Sequence, residues 1–156
     1  IVLDYNISLY LSAASLFSFI YLLRIAKDIF DKKEASANLL SGSLCIYILF
    51  GIGFAYLYTL LEVQAPGSFK LPERLSGIDV NELNYETLSP LLGTFIYFSF
   101  VTLSTLGYGD IHAETLPAQF LSLFEAICGQ IYLVVIVAGM VGMHSAKFFI
   151  KDTINK

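Results

Sequence analysis

The sequence predicts an all-α membrane protein, and three observations carry that prediction. Hydrophobic residues make up 56% of the 156 residues and charged ones only 14%, against about 25% charged in ordinary soluble domains; the mean hydropathy is +0.71. Three apolar runs, residues 7–23, 44–61 and 120–150, approach or exceed the ~20 residues that a bilayer-crossing helix needs. A further apolar segment, residues 90–103, is too short to cross. In a bilayer such a segment must be re-entrant and shielded by protein, because hydrocarbon does not tolerate exposed backbone polar groups.

Residues 1–38 form a first unit, one transmembrane helix and a cytoplasmic linker. Its apolar run is interrupted only by serines and tyrosines and ends at Arg24, whose long side chain can snorkel to the interface. The residues before the run, Ile-Val-Leu-Asp-Tyr-Asn, carry no base and no small-x-small cleavage site follows, so the segment reads as a retained helix rather than a signal peptide. The chain begins at Ile1 without an initiator methionine, which fits a piece of a larger protein. Residues 39–156 form a second unit. Its first helix is expected at about 39–63, where residues 44–61 carry no charge at all.

Basic residues set the orientation. Arg24, Lys27, Lys32 and Lys33 lie between the first and second runs and Lys147, Lys151 and Lys156 lie late in the chain, which leaves Lys70 and Arg74 in the long segment between. By the positive-inside rule the linker and the C-terminus are cytoplasmic and the long segment is outside. The same rule puts Asp4 and the N-terminus outside, as a further span upstream would require. Residues 64–88 contain Pro66, Gly67, Pro72 and Gly77 with acids at Glu73, Asp79, Glu82 and Glu86, and read as a solvated extracellular turret. Ser89-Pro90 is a helix-start signal, with Ser89 as N-cap and Pro90 at the first helical position, so a short helix is predicted over 89–104. The C-terminal end of that helix would present partial negative charge to a cation at the membrane centre.

After it comes Thr102-Leu103-Ser104-Thr105-Leu106-Gly107-Tyr108-Gly109-Asp110. Glycine adopts positive φ at little cost, so Gly107 and Gly109 can aim successive carbonyls to one side. The tripeptide Gly-Tyr-Gly alone is an ordinary turn; its place between an apolar helix and a membrane-length one gives it weight. In that setting the string resembles the selectivity filter of the potassium channel pore family, most closely pores of the prokaryotic two-span type, here with an extra N-terminal span.

The resemblance implies a tetrameric pore built from three further identical subunits. Each would bring an outer helix, a re-entrant pore helix, a filter at 105–110 and an inner helix at 115–151. Carbonyls would replace the hydration shell of K⁺. The ion would be held at Thr105, Leu106, Gly107 and Tyr108, with Gly109 completing the loop and Asp110 at the outer mouth, where a ring of carboxylates concentrates cations. Tyr108 is expected to turn its ring away from the ions and pack behind the loop. Tyr97, Ser104 and Glu125 are the expected filter supports. Tyr97 either packs as a plain aromatic or approaches Asp110. Val101 stands where some members of the family place a glutamate, so the filter must be braced otherwise.

On the inner helix the resemblance continues through Glu125-Ala126, Gly129-Gln130, Tyr132-Leu133, Gly139 and Gly142, with Thr115 and Pro117 marking its start. Leu116 between that pair and His112-Ala113 before it depart from the family pattern. Gly129 falls twenty residues after Gly109. It is either a hinge or a close-packing position. Helical periodicity puts Gln130, Val134, Val137 and Val141 on one face, expected to line the cavity. Glu125, an acid inside a span, is expected to make a buried bond to the pore helix near Thr102 or Ser104.

No enzyme is read from the chain: His112 and His144 fall on opposite sides of the membrane, and Cys45 and Cys128 lie in apolar spans as small hydrophobes. No cofactor is expected beyond K⁺ as permeant ion, and no basic stripe points to nucleic acid. The expected surroundings are membrane lipid in the cell membrane and a cytoplasmic gating domain outside this chain. A weakly selective cation channel, a potassium transporter subunit and a non-conducting membrane scaffold stay open as alternatives.

Overall fold

The computed structural model describes residues 2–31, 37–75 and 85–134. Its elements are α1 (Val2–Asp31), α2 (Ala37–Gln64), β1 (Phe69–Lys70), a 3-10 turn (Glu73–Leu75), α3 (Tyr85–Leu103), β2 (His112–Ala113) and α4 (Leu116–Val134). Among the described residues two stretches are long and apolar enough to cross a membrane, Gly42–Gln64 and Leu116–Val134. The apolar part of α1, Asn6–Tyr21, is shorter. Residues 135–151 of the expected inner helix, and with them Val137 and Val141, lie outside the described residues.

α1 docks antiparallel on α2. Phe19 meets Phe50 and Phe54 edge-on at 6.1 and 5.6 Å, and the Ser15 hydroxyl donates to the Gly53 carbonyl at 3.5 Å. A methyl group at Gly53 would already touch the Phe19 ring at 3.4 Å. Small residues matter at such a crossing because lipid tails are as apolar as leucine, so close backbone approach and not exclusion from water drives the packing.

α3 also runs antiparallel to α2, and it stops halfway. Its end, Leu103, is fully buried, and a methyl group at Gly51 would lie 3.1 Å from Leu103 Cδ1. Gly51 is about 14 Å from the N-terminal end of the Gly42–Gln64 stretch and about 20 Å from its C-terminal end at 1.5 Å per residue. α3 thus ends beside the middle of the apolar stretch of α2. α4 lies against the same helix, with the Tyr132 hydroxyl bonded to the Ser43 carbonyl and Tyr132 stacked on Tyr47 at 6.1 Å. Towards the C-terminal end of α2 an aromatic cluster joins three elements: Tyr58 of α2 packs on Phe69, Phe95 and Phe98 at 5.3, 6.1 and 5.1 Å.

Three expectations are corrected. α3 begins at Tyr85 and Pro90 lies inside it, so Ser89 is a helical residue and no N-cap. Proline here removes one backbone bond, to the Glu86 carbonyl, and Ser89 and Pro90 are exposed, where water can serve the freed acceptor. α4 starts one residue later than expected. Thr115 is its N-cap, accepting the Gln119 amide at 2.9 Å, yet its hydroxyl has no partner. Pro117, two residues on, has no N–H to offer it. Nor is the described start of the turret a plain solvated loop. β1 pairs antiparallel with β2, Phe69 opposite Ala113 and Lys70 opposite His112, while Ser68, Phe69 and Leu75 are buried. Residues 76–84 lie outside the described set.

Glu62 secures this pairing. Buried at the end of α2, it accepts the Gly67 amide at 2.8 Å and the Phe69 amide at 2.9 Å. Ser68 then accepts the Glu114 amide at 2.9 Å. Glu62→Ala orphans the buried Phe69 donor, while the exposed Gly67 amide can turn to water, and is expected to destabilise the fold by about 1–3 kcal/mol. Denaturant unfolding in detergent reads this directly, and Glu62→Gln, which retains one acceptor, is expected to lose less.

Candidate functional site

The chain after Leu103 makes the site. Leu106 N–H donates to the Val101 carbonyl at 3.0 Å and Thr105 N–H to the Thr102 carbonyl at 3.0 Å. This crossed pair, six-to-one outside five-to-two, is the Schellman arrangement that ends helices on a left-handed residue, usually glycine. Here the residue is Thr105, with φ of +59°. A β-branched side chain in that region costs about 1–2 kcal/mol, and the expectation from the sequence had assigned positive φ to glycines alone.

Gly107 and Gly109 do carry it, at +57° and +75°, while Leu106 and Tyr108 do not. Positive and ordinary φ therefore alternate from Thr105 to Gly109, the pattern a row of carbonyls facing one side requires. Val101 is the brace. Its carbonyl also receives the Gly107 amide and the Ser104 hydroxyl, each at 3.4 Å.

The loop climbs back along α3. Asp110 comes up beside the hydroxyl of Tyr97, which lies about 9 Å before Leu103 along the helix axis, and Ile111 leads into β2 beside β1. Of the two alternatives for Tyr97, the approach to Asp110 is the one this placement favours. Removing only its hydroxyl, in Tyr97→Phe, is expected to cost about 1 kcal/mol. Hydrogen exchange would show roughly five-fold weaker protection in the loop, with the helices unchanged.

On one protomer the loop is bare. Residues 104–110 are all exposed, and Tyr108, expected to pack behind the loop, is 66% exposed. Gln130 and Val134 are exposed on α4, on the side that also carries Phe120, Leu123, Phe124, Ile127 and Ile131.

Glu125 is fully buried, and its partners differ from those expected. It bonds Ser99 on α3 and Tyr58 on α2, while Thr102 turns its hydroxyl to the Phe98 carbonyl at 2.8 Å and Ser104 turns to Val101. Ser99 lies a turn above Leu103, the level that Glu125 reaches from α4. Sequence reasoning missed Ser99 and Tyr58; the available signal was that a buried acid needs hydroxyl donors at its own depth. Gly129 packs against the end of α3, where a methyl group would lie 2.6 Å from Leu103 Cδ2 and 3.4 Å from its carbonyl oxygen. This close fit matches the packing alternative, and α4 runs through Gly129 without a break to Val134.

Outer helix, half-depth helix, alternating loop and inner helix together define a membrane pore module. Residues 78–145, which hold α3, the loop and α4, match the family model described as ion channel. The match supports an ion channel function and an all-helical membrane channel fold for this part of the chain. Neither the curated proteins nor the solved structures contain a match to it.

Proposed function

We propose that the chain is one subunit of a K⁺-selective channel, in which four copies bring their 105–109 loops around a common axis. The observation that carries this is the φ alternation from Thr105 to Gly109, at the end of a helix that stops beside the middle of the apolar stretch of α2. Exposure supports the assembly: a loop with Leu106 55% exposed and a helix face of large apolar side chains are left uncovered by the protomer's own elements. Symmetric copies would cover both. K⁺ would exchange its water for carbonyls at Thr105, Leu106, Gly107 and Tyr108, and Asp110 would enrich cations at the mouth.

In this reading α1 is an additional span, the filter opens to the outside of the cell membrane, and the C-terminus is cytoplasmic beside any gating domain. Gln130, Val134, Val137 and Val141 line the cavity below the filter, and bending at Gly129 would widen its inner end. The runner-up is a weakly selective cation channel. Purified protein in liposomes is expected to pass K⁺, to be blocked by Ba²⁺ and to give reversal potentials in mixed salts that follow the K⁺ gradient. Reversal potentials insensitive to the exchange of K⁺ for Na⁺ would favour the runner-up, and no flux at all would leave a scaffold.

A further inference from the structure

Glu125 sits where three helices meet. Ser99 of α3 lies within hydrogen-bonding distance of the Gly51 carbonyl on α2, at 2.8 Å, and of one Glu125 oxygen; Tyr58 of α2 bonds the other Glu125 oxygen. These three contacts join oxygen to oxygen. Each needs a proton, since two oxygens that close repel without one. Ser99 and Tyr58 supply one each, and the Gly51 carbonyl supplies none. Ser122 approaches Tyr58 and the Ala118 carbonyl, and its single proton stays with those contacts.

The third proton therefore belongs to Glu125. We propose that Glu125 is held as a neutral carboxylic acid whose O–H donates to Ser99, so that one chain of hydrogen bonds runs from the outer helix through the inner helix to the pore helix and back. Ser99 hands its own proton to the Gly51 carbonyl, and Tyr58 donates to the free carbonyl oxygen of the acid. Every polar atom in the set is then satisfied. The surroundings agree: the residue is fully buried, and no Lys, Arg or His among the described residues pairs with it. Burying a lone carboxylate there would cost far more than burying the acid. The titratable groups facing it are Tyr58 and Tyr47 on α2, both neutral donors.

Glu125 is then a positioning residue: it fixes the depth of α3, and the loop begins where α3 ends. Two readouts test this on the full chain in bilayers. Infrared difference spectra between wild type and Glu125→Gln at neutral pH are expected to show the carbonyl stretch of a neutral acid lost in the variant. Loss of carboxylate bands instead overturns the proposal. The second readout rests on the channel reading. Glu125→Gln keeps one donor and one acceptor in place of the acid and is expected to retain wild-type K⁺ over Na⁺ discrimination and tetramer stability. Glu125→Ala is expected to lose both, with roughly a tenfold shift in the unfolding equilibrium. Equal damage in Gln and Ala overturns the positioning role. A chain that fails to select K⁺ while still showing the acid band would refute the channel reading and leave the proton assignment standing.

Discussion

On the proposed channel reading, replacing Gly107 with alanine is expected to abolish K⁺ flux while leaving the tetramer assembled. Nothing lies within 4 Å of the place a Cβ would take, so the substitution meets no clash in the protomer. The damage is conformational. At φ of +57° alanine costs about 1–2 kcal/mol, and the loop already holds a threonine in the same region two residues earlier. The alternation relaxes by turning a peptide over, which in the proposed tetramer would withdraw a carbonyl from the ion row in all four copies at once. Liposome flux with size-exclusion of the detergent-solubilised protein reads both halves of the expectation. Normal selective current in Gly107→Ala would refute the assignment of the loop as filter.

Phe95→Ala carries the largest expected effect on stability. Phe95 is fully buried, 4.9 Å from Phe69 and 6.1 Å from Tyr58 by ring centroid. It therefore connects α3 to α2 and to the turret strand together. Truncating a buried phenylalanine costs about 3–5 kcal/mol, much of it from the cavity left behind. Thermal unfolding in detergent should fall well below that of Tyr97→Phe on the same helix. A loss under about 1 kcal/mol would mean that the cluster collapses to fill the gap.

Several parts of this architecture were readable before any coordinates. Length and hydropathy located α2 and α4, and the shortness of the third segment marked it as a helix that stops midway. Gly107 and Gly109 declared their backbone through residue type. The remainder depended on relations between elements. Phe69-Lys70 and His112-Ala113 are too short to carry an alternating pattern, so their pairing was invisible until Glu62 was seen holding the turn. Pro90 read as a helix start because proline favours that place, and only the exposure of its surroundings explains its tolerance further in. The partners of Glu125 could not be chosen from spacing, since depth along α2 depends on how the helices are offset. Thr105 gave no sign of positive φ, because its backbone is dictated by the hydrogen bonds that close α3.

That closure has a consequence for how the region can evolve. Thr105 terminates the helix and also begins the alternating strand, and the Val101 carbonyl serves both. No slack separates the two. Apart from the glycine at 107, side chains here can be exchanged, but a single inserted or deleted residue between Val101 and Gly107 would turn the following carbonyls off their line, so natural variation between them should change letters and never length.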